Sequence, residues 1–204
     1  MNFEARYLIR WGVPGWIFLL SLYIQFFIVG NKLIVDLMEK NSEIATTVVL
    51  TVLGIPVGYI LNQMHHVWIW VARVDWDKYF ESDWKITKAF LNQKDDKTGE
   101  QLRNRYRYLL TRTHELGGIY FALFIVLIIG MINMVTYKAY NKYFVIYLAV
   151  LVVITIFIYL SRNYYRGNLD AFTKKLVGED YKTVRDMFWF VKHFFKQLKR
   201  FLAN

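Results

Sequence analysis

The chain has 204 residues, of which 56% are apolar and 19% aromatic, with two prolines and no cysteine. This composition is typical of a membrane protein and excludes an ordinary soluble domain. The absence of cysteine excludes a disulfide framework, a thiolate metal site and a thiol nucleophile. A formal net charge of +10 is compatible with binding to nucleic acid, with binding to anionic lipid and with the orientation bias of a membrane protein. The placement of the charges along the chain distinguishes these explanations.

Four long apolar runs predict an all-α polytopic membrane protein with four transmembrane helices. The first run starts at Trp11, and Pro14 is expected in its first helical turn. The predicted parts are an N-terminal transmembrane hairpin over 1–71 (spans about 11–30 and 46–71), a cytoplasmic helical hairpin over 72–115, a second transmembrane hairpin over 116–160 (spans about 116–136 and 143–160) and a basic tail over 161–204.

The last two spans differ in the residues they offer for packing. The third carries three glycines as positions of close approach, Gly117, Gly118 and Gly130, and Asn133 is its only amide. The fourth is apolar on every face apart from Thr155. We therefore expect the fourth span to be the most lipid-exposed helix.

The distribution of basic residues predicts the topology. Of the 26 Lys and Arg residues, 22 lie in the N-terminus, the central hairpin and the tail, and only four lie in the two short connections between spans. Basic residues concentrate on the cytoplasmic side of membrane proteins. The charge distribution thus predicts that both termini are inside, and all seven tryptophans then fall on the cytoplasmic side as an interfacial belt. The small, motif-free design of the chain suggests a prokaryotic inner (plasma) membrane.

The second span carries a stripe of small and polar residues on one face. At 100° per residue six of them align, and Pro56 and Gln63 lie roughly opposite. The stripe consists of Thr47, Thr51, Gly54, Gly58, Asn62 and His65. A face of small and polar residues is not expected to contact lipid, so it either lines a hydrated pore or forms a packing seam against other helices.

Three histidines lie at one predicted membrane depth. His65 and His66 end the second span and His114 precedes the third. Three imidazoles can hold zinc or iron, but the spacing matches neither a zincin pattern nor a membrane di-iron pattern. These histidines remain weak metal candidates, and we expect no catalytic residues, no metal and no other cofactor.

The tail predicts an amphipathic helix over 180–204. Its apolar face includes Phe188, Phe195 and Leu202, and the opposite side is basic. The basic residues are Lys182, Arg185, Lys192, Lys196, Lys199 and Arg200. Such a helix lies in the headgroup plane, packs on its own bundle or docks on a partner. Nucleic acid is disfavoured, because the aromatic residues lie on the apolar face and not among the basic ones.

These features lead to three hypotheses of function. The first is a small oligomeric, channel-like or pore-forming membrane protein, which needs a homo-oligomer because four spans scarcely enclose a conduit. The second is a non-conducting membrane anchor that recruits a soluble cytoplasmic partner, as would suit a prokaryotic antiviral or stress-defence system. The third is a membrane enzyme with a metal site at the three histidines. The absence of a catalytic motif favours the first two.

Overall fold

The computed structural model describes residues 5–32, 43–68, 75–93, 96–137 and 141–178. Across these residues the regular structure is helical throughout, in five helices. They are α1 (Ala5–Val29), α2 (Glu43–His66), α3 (Trp76–Leu91), α4 (Asp96–Thr136) and α5 (Lys142–Val177). All except α3 are long and apolar enough to cross a membrane. The prediction of an all-α fold with four helices long and apolar enough to span a membrane is confirmed, whereas the predicted helix over 180–204 lies outside the described residues.

The helices divide between two compact units. One, which we call the apolar unit, comprises Met1–Val74 and His114–Tyr159, and the other, the polar unit, comprises Asp75–Thr113 and Leu160–Asn204. Helices α4 and α5 each contribute residues to both units. The central hairpin predicted from the sequence corresponds to α3 and the first half of α4, and α5 adds a third helical segment to the polar unit.

Helices α1 and α5 both extend beyond the predicted bounds of their spans. Helix α1 begins at Ala5, so Pro14 lies inside the helix and not in its first turn. Proline is tolerated inside spanning helices because neighbouring helices and local adjustments satisfy the freed backbone carbonyl. Helix α5 continues well beyond the end of the fourth span, to Val177, and 161–177 contains no proline that would break it.

The apolar unit packs through two small hydrophobic clusters. One joins Leu61 of α2 to Phe121 and Ala122 of α4, and the other joins Leu123 and Val126 of α4 to α5. Phe18 of α1 contacts both clusters. Because lipid is as apolar as these side chains, their association depends on close packing and hydrogen bonding more than on the hydrophobic effect.

Two of the four long apolar helices are the least buried within the chain. In both α2 and α5, only 17% of the most apolar stretch is buried, against 28% for α1 and 39% for α4. The fourth span was expected to be the most exposed helix, and α5 is indeed one of the two least buried of the four, with α2 equally exposed. The narrow small-residue face of α2 occupies little of its circumference, and the remainder is mostly apolar.

Aromatic side chains connect the helices of the polar unit. The Phe90 ring of α3 lies 5.7 Å from Tyr106 of α4, and Tyr108 of α4 lies 6.3 Å from Tyr165 of α5. The guanidinium of Arg105 lies 5.4 Å from the centre of the Phe172 ring. None of the residues of α3 is buried. Helix α3 is therefore the least enclosed element of this unit.

Candidate functional site

The small-residue stripe of α2 lies directly against α1 over its central turns. Gly54 and Gly58 are buried, and so is Gly15 of α1. A Cβ atom at Gly15 would collide with the Gly54 carbonyl, and one at Gly58 would collide with the carbonyl of Trp11. Only glycine permits such an approach of two helix backbones. This part of the stripe is a packing seam within the chain.

Two tryptophans of α1 complete the seam. The indole Nε1 of Trp16 donates a 2.9 Å hydrogen bond to the backbone carbonyl of Thr51. The same indole occupies the space that a side chain at Gly54 would need. Trp11 meets Tyr59 edge to face, with 5.2 Å between ring centres. The sequence predicted both tryptophans in an interfacial belt, but in the structure they lie between α1 and α2.

The end of the stripe nearer His66 contacts α4. His65 is fully buried, and its imidazole fills the space in front of Gly117, 6.1 Å from the Phe121 ring. The Asn62 side chain lies in front of Gly118. The predicted role of Gly117 and Gly118 as positions of close approach is thereby confirmed. Gly130 is also a position of close approach, because the side chains of Leu148 and Gln25 lie against it.

The first part of the stripe differs from the rest. Thr47 and Thr51 are exposed, and the Thr51 hydroxyl donates a 2.8 Å hydrogen bond to the Thr47 carbonyl one turn earlier. A hydroxyl bonded in this way is satisfied by its own helix and does not require water. The structure therefore brings Gly54, Gly58 and His65 into helix contacts and leaves the two threonines on the surface.

The three candidate metal-binding histidines do not converge on one point. His65 is buried against α4, whereas His66 is exposed and its ring centre lies 6.0 Å from that of His114. Within the described ranges, no group of three His, Cys, Asp or Glu side chains is placed to hold a metal ion. The third hypothesis of function gains no support from this arrangement.

A second polar cluster lies inside the apolar unit and was missed from the sequence. Gln25 of α1 is fully buried and donates a 2.9 Å hydrogen bond to the carbonyl of Val126. Its side-chain oxygen accepts a 3.4 Å bond from the Asn133 amide. The Tyr147 hydroxyl donates a 2.7 Å bond to the Ser21 carbonyl. These bonds link α1 to α4 and α5, so the cluster positions three spans relative to one another.

The described part of the polar unit contains a cleft with a volume of about 420 Å³. It lies between α3 and the end of α5, and its lining includes Lys78, Lys85, Lys174 and Val177. The ammonium of Lys85 lies 2.9 Å from Glu81, which lowers the pKa of that carboxyl. Lys78 likewise lowers the pKa of Asp75. Both ion pairs are solvent-exposed and add little to stability.

The six basic residues predicted for the membrane surface lie outside the described residues, so that prediction stays open. Comparison with known proteins gives no match to a family model, to a curated protein or to a solved structure. The function must therefore be argued from the geometry of the chain itself.

Proposed function

We propose that this chain is a non-conducting membrane anchor whose polar unit recruits a soluble partner. The observation that carries the proposal is the packing of the α2 stripe. A pore lined by that stripe needs Gly54 and Gly58 to face water, but both are covered by α1 of the same chain. Opening a path along these glycines would require α1 to separate from α2 and break the Trp16 to Thr51 hydrogen bond.

The buried polar groups also favour an anchor. Amides inside a spanning bundle either serve a solute path or act as hydrogen-bonded connections between helices. Gln25 and Asn133 bond to each other, and Gln25 also bonds to a backbone carbonyl. The two amides therefore act as a structural connection between helices, which keeps the spans in fixed positions.

Topology supports a cytoplasmic role for the polar unit. The segments that form it hold most of the basic residues of the chain, so the positive-inside rule orients them to the cytoplasm. A prokaryotic inner membrane and a defence or stress setting remain parts of this proposal, and they are suggested by the small, motif-free design of the chain. The soluble partner would meet a helical surface rich in lysine and exposed aromatic residues.

An oligomeric channel is the second candidate. The observation in its favour is the exposure of Thr47 and Thr51, together with the aliphatic surfaces of α2 and α5 that a second copy could cover. A homo-oligomer is compatible with either function. The channel additionally requires water at the exposed threonines, and this requirement separates the two candidates.

The test combines flux with cross-linking. The purified chain is reconstituted in liposomes loaded with a self-quenching dye, and ion flux and single-channel currents are recorded. The anchor proposal predicts leakage no greater than in empty liposomes. In cells, a photoreactive residue in place of Lys174 should give a discrete adduct with a soluble protein, and the same residue in place of lipid-facing Val153 should not. Reproducible unitary currents would overturn the anchor and favour the channel.

A further inference from the structure

Two short segments of the polar unit combine arginine with tyrosine beside the predicted spans. They are 103–112 of α4, which precedes the third span, and 162–166 of α5, which follows the fourth. Neither segment contains lysine, aspartate or glutamate, and together they hold six arginines: Arg103, Arg105, Arg107, Arg112, Arg162 and Arg166. The nearest acidic residues along the chain are Glu100, Glu115 and Asp170. Six arginines against three flanking carboxylates leave these segments with a net positive charge.

Side chains of the two segments meet in what we call the arginine–tyrosine cluster, which consists of Tyr108 and Arg112 of α4 with Tyr164 and Tyr165 of α5. The Arg112 guanidinium lies 5.7 Å from the centre of the Tyr108 ring. That ring meets Tyr165 edge to face, with 6.3 Å between ring centres, and the Tyr164 and Tyr165 ring centres are 5.6 Å apart. Arg112, Tyr108 and Tyr164 are exposed. The cluster is thus an open surface that carries one guanidinium and three phenol groups.

This set of groups suits a phosphate ligand. A guanidinium presents five donors in a planar fork and binds phosphate oxygens through two parallel hydrogen bonds, which a lysine ammonium does not do. Phenol hydroxyls beside it donate to the same oxygens. Helix α3 provides the contrast within the same unit, because Lys78 and Lys85 form ion pairs with carboxylates of their own helix.

The position of the cluster along the chain points to the phosphate of a lipid. Arg112 lies four residues before Leu116, where the predicted third span starts, and Tyr165 lies five residues after Leu160, where the fourth ends. At 1.5 Å per helical residue these offsets are about 6 and 8 Å. The headgroup layer on each side of the hydrocarbon core is about 5–8 Å thick. Lipid headgroups are therefore the phosphates at the highest local concentration.

We propose that the arginine–tyrosine cluster binds the phosphate of an anionic phospholipid. Arg112 holds two phosphate oxygens, and the hydroxyls of Tyr108 and Tyr165 donate to the same group. An anionic headgroup is preferred to a zwitterionic one, because the neighbouring arginines add positive charge and no ammonium of the lipid opposes it. The inference concerns the polar unit alone and holds for an anchor and for a channel alike.

The test measures lipid retention by native mass spectrometry of the full-length protein in detergent. The protein is mixed with equal amounts of phosphatidylglycerol and phosphatidylcholine with identical acyl chains, which both contain a phosphate but differ in net charge. Arg112→Gln removes the guanidinium, and Arg112→Lys keeps the charge but removes the planar fork. Arg107→Gln is the matched control, because Arg107 is also exposed but projects about 140° away from Arg112 around α4.

We expect the wild type to retain phosphatidylglycerol in preference to phosphatidylcholine. Arg112→Gln should reduce the retained phosphatidylglycerol about fivefold, the effect of one basic residue at an anionic surface, and Arg112→Lys should also fall below the wild type. Arg107→Gln should stay within about twofold of the wild type, because exposed charges about 10 Å or more apart are largely screened. Circular dichroism checks that each variant is folded, and Arg112→Lys decides the test if Arg112→Gln is not.

Several results would overturn the proposal. Equal losses in Arg112→Gln and Arg107→Gln would reduce the effect to diffuse charge, and equal retention of the two lipids by the wild type would remove the preference altogether. Displacement of phosphatidylglycerol by glycerol 3-phosphate at the same concentration would assign the cluster to a soluble phosphate. Displacement by an RNA oligonucleotide would assign it to nucleic acid.

Discussion

Gly58 of α2 faces the backbone carbonyl of Trp11 in α1 with no room for a methyl group between them. Helices that approach to this distance gain dispersion contacts along both backbones, and in a bilayer such contacts are a main source of association energy. The pair thus explains why the middle of a spanning helix carries two glycines four residues apart despite their cost in helix propensity.

Substituting Gly58 with alanine should destabilise the apolar unit. The added methyl group overlaps the Trp11 carbonyl, and overpacking of this kind costs about 1–3 kcal/mol. The free energy of unfolding in mixed detergent and SDS micelles measures the change. Gly99→Ala is the matched control, because a Cβ there meets only side-chain atoms at 3.5 Å or more, and this variant should be as stable as the wild type or slightly more stable. A Gly58→Ala protein of wild-type stability would refute the close approach.

The Gln25 and Asn133 pair should show energetic coupling. Either single substitution to leucine leaves a buried amide without its partner and should cost about 0.6–2 kcal/mol. The double variant removes both amides, so its loss should be smaller than the sum of the two single losses by roughly 0.5 kcal/mol or more. Gln63→Leu, at an exposed amide of α2, is the control and should change the unfolding free energy little. Strictly additive losses would mean that the two amides do not interact.

Removing the Tyr147 hydroxyl should weaken the contact between α5 and α1. Tyr147→Phe keeps the ring and loses the hydrogen bond to the Ser21 carbonyl, which should cost about 0.5–1.5 kcal/mol of unfolding free energy. Tyr143→Phe lies one turn earlier in the same helix, where the side chain is 65% exposed, and should have no measurable effect. Equal stabilities of the two variants would contradict the assigned bond.

The stability of helix α3 should depend on pH through its two exposed ion pairs. Hydrogen bonds from Lys78 and Lys85 lower the pKa values of Asp75 and Glu81 below 3.8 and 4.5 respectively. A carboxyl whose pKa is lower in the folded state stabilises that state above the unfolded pKa and loses this contribution as the pH falls through the folded value. Lys85→Gln should therefore raise the pKa of Glu81 toward 4.5, as followed by carboxyl chemical shifts in an NMR titration, and leave Asp75 unchanged. An unchanged Glu81 titration would exclude the pair.

Much of the fold was predictable because the lipid environment makes the pattern simple. Long uncharged runs must be helices when no water is present to satisfy the backbone, so the four spans follow from hydropathy alone. The alignment of Gly54, Gly58 and His65 on one face likewise follows from helical periodicity. The ends of helices were less predictable, since α5 continues past the apolar run and through Gly167 and Asn168, residue types that often end a helix, as far as Val177.

The partners of these residues were not predictable, because they belong to other helices. Nothing local to Trp16 distinguishes a tryptophan of the membrane interface from one that bonds to the Thr51 carbonyl. Gln25 offered a usable signal, since an amide in an otherwise apolar span requires a partner. The sequence also contained Asn133 in the third span, but only the register of α1 against α4 brings the two amides together.

The most direct test of a dry, non-conducting stripe is the accessibility of cysteines placed along α2 in the otherwise cysteine-free chain. Thr51→Cys and Asn62→Cys are reacted with a membrane-impermeant thiol reagent in liposomes, beside Ile60→Cys as a lipid-facing control and Lys97→Cys and Tyr137→Cys as exposed controls. The anchor proposal predicts that Thr51→Cys and Asn62→Cys react about a hundredfold more slowly than the exposed controls, as Ile60→Cys does, because no water reaches them. Rapid labelling of both stripe positions with Ile60→Cys protected would contradict it and identify a water-filled path.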